Sequence, residues 1–571
     1  MRAGFILRIR FISLIVLALA LILLVRLYFV QVVHGEIYSS HADRQYVNSG
    51  STLFDRGSIF FEDKDGRLVS GATLKSGFIL ALDPRAIEDK KVTYQALSQI
   101  VSLQEEDFLK RAGKKTDPYE EIATGLDSEI AEKIEALGLR GVNLYRERWR
   151  YYPGDTLASH TIGFVGWKGD ERSGRYGLER YYNSTLSRDG SNSPYGNFFA
   201  EVFANIHKTI FKQGSARAGD VITTIEPSVQ LELEKLLHEV RKEWNSTLVG
   251  GLVIDPSTGS IYALAVVPNY NLNEFGAVKD ASVFSNPLVE RVYEMGSIIK
   301  PLTMAIGLDT GAVTPLSTYD DKGYVELDGA RISNFDGKGR GVVPMQEVLN
   351  QSLNTGAMFI MQQTGKEKFR TYLKNLAIDE ETGIDLPGEV AGIANNLESP
   401  RDIEYATASF GQGIAMTPVA TVRALGALAN NGIIVTPHVA KRIEYELGDV
   451  KEVSFGDERR VFSDETSETI TRMLVEVVDS ALLGGTVALP NYSIAAKTGT
   501  AQIAKEGERG YYEDRFLHSF FGYFPAYDPQ FLIFLYNVEP QGVRYASQTL
   551  THPFIDMTKF LINYYEIPPD R

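Results

Sequence analysis

The feature that most limits how this chain can fold is an apolar run near its N-terminal end. Arg2, Arg8 and Arg10 precede FISLIVLALALILLVRLYFVQVV, which is interrupted only by Arg26. A helix rising about 1.5 Å per residue needs about 20 residues to cross ~30 Å of hydrocarbon. Phe11 to Val30 supplies that length, and Arg26 sits close enough to the far end to snorkel. Basic residues ahead of such a run stay in the cytoplasm. The sequence therefore predicts a cytoplasmic stub over 1–10, a single-pass transmembrane anchor over 11–33 in the cell (inner, cytoplasmic) membrane, and a body held outside the cytoplasm. The rival reading is a cleaved signal peptide, but the run is long for one and no small-x-small cleavage site follows it.

That body is large. A chain of 571 residues implies two to four folding units. The 58 basic against 73 acidic residues give a formal net charge of −15, which offers no long-range attraction to nucleic acid. The complete absence of cysteine excludes disulfides, zinc ribbons, iron–sulfur clusters and a thiol nucleophile. His160, His207 and His238 lie far apart with no metal-ligand spacing and read as structural or surface residues, so neither metal nor cofactor is implied.

Residues 34–247 are polar and turn-rich, with short alternating stretches and one charged helical segment, DSEIAEKIEALGL, in which Ile130, Ile134 and Leu137 recur at helical spacing. This region reads as an elongated α+β pedestal. It ends in a short strand and a helix carrying Leu231, Leu233, Leu236, Leu237 and Val240. A second domain, 248–571, opens with two β-runs joined by the turn Asp255-Pro-Ser-Thr-Gly259. Helical segments fill its middle, and the strand-like runs YSIAAKTGTAQ and SFFGYFPAYDPQFLIFLYNV close it. Strands at both ends flanking helices predict an α+β fold, a mainly antiparallel sheet sandwiched by helices and closed by pairing of its terminal strands.

Three short motifs in this second domain carry chemistry. In Glu294-Met-Gly-Ser-Ile-Ile-Lys-Pro, Pro301 fits only near a helix start. Ser297 and Lys300 then share one helical face, a nucleophile beside a base. Ser352-Leu-Asn354 places a hydroxyl and an amide between two apolar helical stretches, where they can relay a proton and hold a substrate amide. In Lys497-Thr-Gly-Thr500, Gly499 inside a strand marks a close approach of another backbone or a ligand. Lys497, Thr498 and Thr500 offer a cation and two donors to a substrate carboxylate. Each motif alone is compatible with an ordinary cap, turn or edge strand.

Their order within one domain resembles the signature of penicillin-recognising serine acyltransferases. The likeness extends to DRGSIFFEDKDG (55–66), 161–186, 218–237, VVPNYNLNEF, SFGQGIAMTP (409–418) and SFFGYFPAYDPQF (519–531), segments similar to those of class B penicillin-binding proteins. Ile299 departs from the family pattern, which puts a more polar residue or Phe there. The resemblance implies a β-lactamase-like transpeptidase domain on a pedestal or dimerisation-type domain, acting in peptidoglycan D,D-transpeptidation without cofactor or metal. Ser297 would attack the carbonyl between two terminal D-alanines of a stem peptide. Lys300 would take its proton, Ser352 and Asn354 would pass that proton on and orient the substrate, and Lys497, Thr498, Gly499 and Thr500 would form the carboxylate site. The backbone N–H groups of Ser297 and Thr500 would hold the oxyanion. Keeping Lys300 neutral near pH 7 takes about 4 kcal/mol, available from burial and the like charge of Lys497. Implied partners are peptidoglycan stem peptides, β-lactam antibiotics, the membrane, and a multi-pass glycan polymerase, since residues 34–247 carry no polymerase signature. Glu513-Asp-Arg-Phe516 reads as a loop. A serine β-lactamase, a β-lactam sensor or a catalytically silent wall-synthesis scaffold would share the three motifs.

Overall fold

The computed structural model describes residues 54–188 and 218–571, apart from 170, 447, 457, 506, 508 and 509. The apolar run expected to be the anchor, and His207, lie outside the described residues. No helix among the described residues is long and apolar enough to cross a membrane.

The chain forms two compact units, a smaller one built on Lys75–Trp149 and a larger one comprising Arg56–Leu74, Arg150–Arg188 and the described chain from residue 218 onward. In the smaller unit, the second half of the strand Leu68–Leu82 pairs antiparallel with Glu120–Leu126. Leu80 and Leu82 meet Leu97, Phe108 and Ile134 from three short helices. The charged segment predicted to be helical is one of these, Ser128–Glu135, started by the Asp127 carboxylate accepting the Ile130 N–H at 2.8 Å.

In the larger unit, helix α1 (Pro227–Trp244) precedes strands β1 (Leu248–Ile254) and β2 (Ile261–Val267). Glu226 caps α1 through the Val229 N–H at 2.7 Å, and proline opens its first turn. Leu233, Leu236, Leu237 and Val240 are buried along one face, whereas Leu231 points to solvent and is 62% exposed. Helices α2 (Lys300–Asp309), α3 (Asn354–Thr364), α4 (Pro418–Ala429) and α5 (Asp464–Glu476) follow. Strands β3 (Ala495–Ala504), β4 (Tyr511–Phe524) and β5 (Phe531–Val538) and helix α6 (Thr551–Tyr565) complete the unit.

The sheet order is β3-β4-β5-β1-β2, antiparallel throughout. Pairing of β5 with β1, Leu535 opposite Gly251, joins the two ends of the expected domain. The run from Ser519 to Val538 resolves into two strands that bend back at Pro525–Gln530. Because helices cover both faces, alternate residues of one strand enter different cores. Ile533 and Leu535 belong to the core that includes residues of α1 and α6, while Phe534 and Tyr536 belong to the core on the other face, which includes Ile298, Leu302 and Met304. This double burial explains why these strands are apolar runs without a polar alternate position. Ile59, Phe61, Tyr152, Ile162 and Leu178 share the core of Leu252 and Leu264, which is why the flanking pieces 56–74 and 150–188 fold within this unit.

One expectation is overturned. Glu513–Phe516 is no loop but the start of β4, where Phe516 faces Gln502 of β3. Its charged residues occupy the exposed end of a strand whose far half is buried.

Candidate active site

Ser297 sits in a single 3₁₀ turn, Gly296–Ile299, that runs directly into α2 with Pro301 in its first turn. Ile299 is buried in the core, so an apolar residue suits this position. The turn is wedged against the edge strand β3. Gly296 has φ +64°, and a Cβ on it would lie 2.9 Å from the Thr500 carbonyl oxygen. A Cβ on Gly499 would lie 2.4 Å from Ser519 Oγ and 2.9 Å from the Ile298 nitrogen. Two glycines thus let the turn and the strand touch backbone to backbone, and Ser519 Oγ, donating to the Met295 carbonyl at 2.8 Å, ties them together.

Lys300 lies beneath Ser297 with 1% of its surface exposed. Its Nζ donates to Ser297 Oγ at 3.0 Å, to Ser352 Oγ at 3.1 Å and to the Ser352 carbonyl at 2.6 Å. Among the described residues, no carboxylate is a hydrogen-bond partner of Lys300. Burial, and then the like charge of Lys497, push the Lys300 ammonium well below the ordinary lysine range. Burial alone brings Lys497 down to about 8.

Ser352 reaches Lys300 because its backbone adopts φ +53°, a left-handed conformation that costs a serine about 1 kcal/mol. A buried polar network lies close by in sequence, around Thr355. Asp321 accepts from Thr355 Oγ1 at 2.8 Å and from Asn334 Nδ2 at 3.0 Å, and Asn334 Oδ1 accepts the Thr355 N–H at 3.2 Å. Asn354 opens α3 and spends its Nδ2 on the Ser333 carbonyl at 2.9 Å, which leaves its Oδ1 for a ligand N–H. On β3, Lys497 is 3% exposed and donates to the Thr498 carbonyl at 3.0 Å, and Thr500 Oγ1 accepts the Ala546 N–H at 3.0 Å.

Ser297, Ser352, Asn354, Lys497, Thr498 and Thr500 all open on one cleft of about 780 Å³. All three motifs are therefore brought together, with Lys300 and Gly499 packed directly behind the surface they form. His160 and His238 stay outside it. His160 is buried, donates to the Val283 carbonyl at 2.9 Å and is held neutral with its pKa down at about 4, and His238 is on the exposed side of α1. No group of acidic and histidine residues able to hold a metal occurs among the described residues. Sequence reasoning missed Arg331, on the short strand Ala330–Ser333, and Phe335, Arg544 and Tyr545, on loops, which line the same cleft without any local signature. It also missed the Asp321–Asn334–Thr355 support, which depends on pairing across the fold.

A helix-covered antiparallel sheet whose edge strand and two helix starts bring these motifs to one cleft defines the penicillin-recognising class of proteins. Comparison with known proteins gives the family. Residues 249–557 match the penicillin binding protein transpeptidase domain and residues 53–193 the penicillin-binding protein dimerisation domain, and the chain belongs to the class B penicillin-binding proteins. Stage V sporulation protein D of Bacillus subtilis is 31% identical over 557 residues, covering 96% of this chain and 84% of that protein. The probable peptidoglycan D,D-transpeptidase PenA of Neisseria gonorrhoeae is 26% identical, covering 95% and 90%. Among solved structures, penicillin binding protein 3 of Mycobacterium tuberculosis complexed with aztreonam superposes with a TM-score of 0.69 at 22% identity, covering 91% of this chain and 98% of that one. Penicillin binding protein 2X of Streptococcus thermophilus gives 0.70 at 20%, covering 90% and 81%.

Proposed function

We propose that this protein is a peptidoglycan D,D-transpeptidase that cross-links stem peptides through an acyl-enzyme on Ser297 and is a target of β-lactams. The observation that carries this reading is the placement of one buried lysine amine within hydrogen-bond distance of two serine hydroxyls, with no carboxylate partner among the described residues to keep it charged. A neutral Lys300 can accept a proton from Ser297 Oγ as that oxygen attacks the carbonyl carbon between the terminal D-alanines. The oxyanion then sits against the backbone N–H groups of Ser297 and Thr500. When the C–N bond breaks, the proton passes from Lys300 through Ser352 to the departing D-alanine amine. An amine of a neighbouring stem peptide takes the acyl group by the reverse sequence, giving up its proton along the same path. Asn354 Oδ1 orients the peptide amide, and Lys497 with Thr498 and Thr500 holds the terminal carboxylate, Gly499 letting the strand lie flat against the nucleophile turn.

The same reading makes residues 11–33 a single-pass anchor in the cytoplasmic membrane, with the pedestal (34–247) and transpeptidase domain (248–571) outside the cytoplasm. A multi-pass glycan polymerase then supplies the strands that are cross-linked. The test is turnover of a D-Ala-D-Ala peptide by the full chain. D-alanine release and cross-linked product are expected from the wild type and neither from Ser297→Ala. Product formation by Ser297→Ala at the wild-type rate would refute the assignment.

A further inference from the structure

The charge of the cleft is lopsided. The chain carries 73 Asp and Glu and a net charge of −15, yet among the described residues no carboxylate side chain lines the cleft, while Arg331, Arg340, Lys497 and Arg544 do. A concave site bounded by one sign of charge concentrates ligands of the other. Two of the four cations have assigned partners. Lys497 belongs to the terminal-carboxylate site proposed above. Arg340 grips both oxygens of Asp336, at 2.8 and 2.9 Å, and donates to Gln351 Oε1 at 2.9 Å.

Arg331 and Arg544 pair with no carboxylate among the described residues, although Glu326 stands directly opposite Arg331 in its hairpin. The Arg331 guanidinium lies 3.7 Å from the centroid of the Tyr324 ring, and that of Arg544 lies 5.7 Å from the centroid of Tyr545. Stacking at 3.7 Å fixes the Arg331 guanidinium plane and leaves its N–H edge free to grip an anion with two bonds, while the Arg544 guanidinium lies within cation–π range of Tyr545. Arg544 is also anchored. Its carbonyl accepts from His518 Nε2 at 3.0 Å, and two residues on the Ala546 N–H donates to Thr500 Oγ1 at 3.0 Å, so its backbone is tied to the strand that carries the first carboxylate site. The Tyr545 ring meets Phe335 edge to face, with centroids 5.7 Å apart, which joins this segment to the loop that follows the Arg331 strand.

We infer that Arg544 and Arg331 form a second anion-recognising subsite, which takes the side-chain carboxylate of an acidic residue within a stem peptide. The inference rests on the transpeptidase reading and narrows its substrate class to stem peptides with a free internal carboxylate, in preference to the same peptides amidated at that position. The carboxylate can belong to the donor or to the acceptor strand, and the test separates the two.

Full chain in detergent is given matched pairs of synthetic peptides that differ only in an internal side-chain carboxylate or carboxamide. One pair ends in D-Ala-D-Ala and serves as donor, the other offers an amine and serves as acceptor. Rates are referred to the fraction of chain that fluorescent penicillin acylates, so misfolded material drops out. The carboxylate peptide should be favoured about tenfold in kcat/KM in one of the two series, which identifies the strand, and the preference should shrink as salt is raised. It should fall toward unity in Arg544→Gln and Arg331→Gln and survive in large part in Arg544→Lys. Equal rates for both members of both pairs, or a preference undiminished in both glutamine variants, would overturn the subsite. Penicillin labelling without any peptide turnover would instead overturn the transpeptidase reading, and the subsite with it.

Discussion

Replacing Gly499 by alanine probes the contact on which the site's geometry depends. The added Cβ would lie 2.4 Å from Ser519 Oγ, 2.8 Å from the Met295 carbonyl oxygen and 2.9 Å from the Ile298 nitrogen, where ordinary contact begins at 3.4 Å. The serine hydroxyl can rotate away. The other two atoms are backbone of the nucleophile turn, so strand and turn must part by about half an ångström. Overpacking of this size costs about 1–3 kcal/mol and should lower Tm by a few degrees. The functional loss should be larger than that stability loss suggests. Ser297 moves relative to the Thr500 N–H and Lys497, and a misplacement of about 1 Å can cost about a hundredfold, so about tenfold is expected here. The assay is the second-order rate constant for acylation by fluorescent penicillin, measured beside a melting curve. Gly276→Ala is the control, because nothing lies within 4 Å of its added Cβ. An acylation rate within twofold of wild type, with Tm unchanged, would show that the turn and strand are not in the contact described and would refute this reasoning.

Removing Lys497's charge, as Lys497→Gln, takes away the like charge that helps keep Lys300 deprotonated, so the acidic limb of the acylation profile should move to higher pH. A limb that stays in place or moves to lower pH would contradict that coupling. In the wild type, Lys497 loses its proton near about 8, so KM for a D-Ala-D-Ala peptide should rise as pH climbs through that value, and a flat KM from pH 7 to 9 would argue against a carboxylate held there. Thr355→Val keeps the shape but deletes the donor to Asp321, leaving a buried carboxylate short of one bond, and should cost about 2 kcal/mol by chemical denaturation while slowing acylation, whereas unchanged stability would refute the role given to that network. His160 and His518 are buried neutral with pKa values down at about 4 against 6.5 when unfolded. The unfolded chain therefore binds more protons between those values, and stability is full above pH 6.5 and falls as pH drops toward 4, by up to about 3 kcal/mol for each histidine. Denaturation midpoints measured from pH 7 to 4 in the wild type and His518→Gln should show the variant losing less, and equal slopes would contradict the assignment.

The sheet and its flanking helices were legible because their signals are local. Apolar runs such as FLIFLYNV and capped amphipathic stretches such as Pro227–Trp244 state their own periodicity. The motif residues were legible for a different reason, since a nucleophile, a base and a carboxylate-binding strand need particular side chains whatever surrounds them. The order of these motifs then pointed to a cleft that no single one defines. What stayed hidden depends on partners distant in sequence. Glu513–Phe516 reads as a loop because its charges face solvent, and it is a strand because β3 lies beside it. Arg331 and Arg544 are separated by most of the domain and reach one cleft through the meeting of Phe335 and Tyr545. Nothing in Ser-Leu-Asn announces Ser352's left-handed backbone or the buried Asp321 carboxylate that Thr355 bonds.

Ser297 is the one hydroxyl that a β-lactam is expected to acylate. Intact mass of the full chain after treatment with penicillin, followed by peptide mapping, reads this directly. One penicilloyl adduct per chain is expected, carried on Ser297 and absent from Ser297→Ala. An adduct on Ser352 or any other residue, or one that persists in Ser297→Ala, would contradict it.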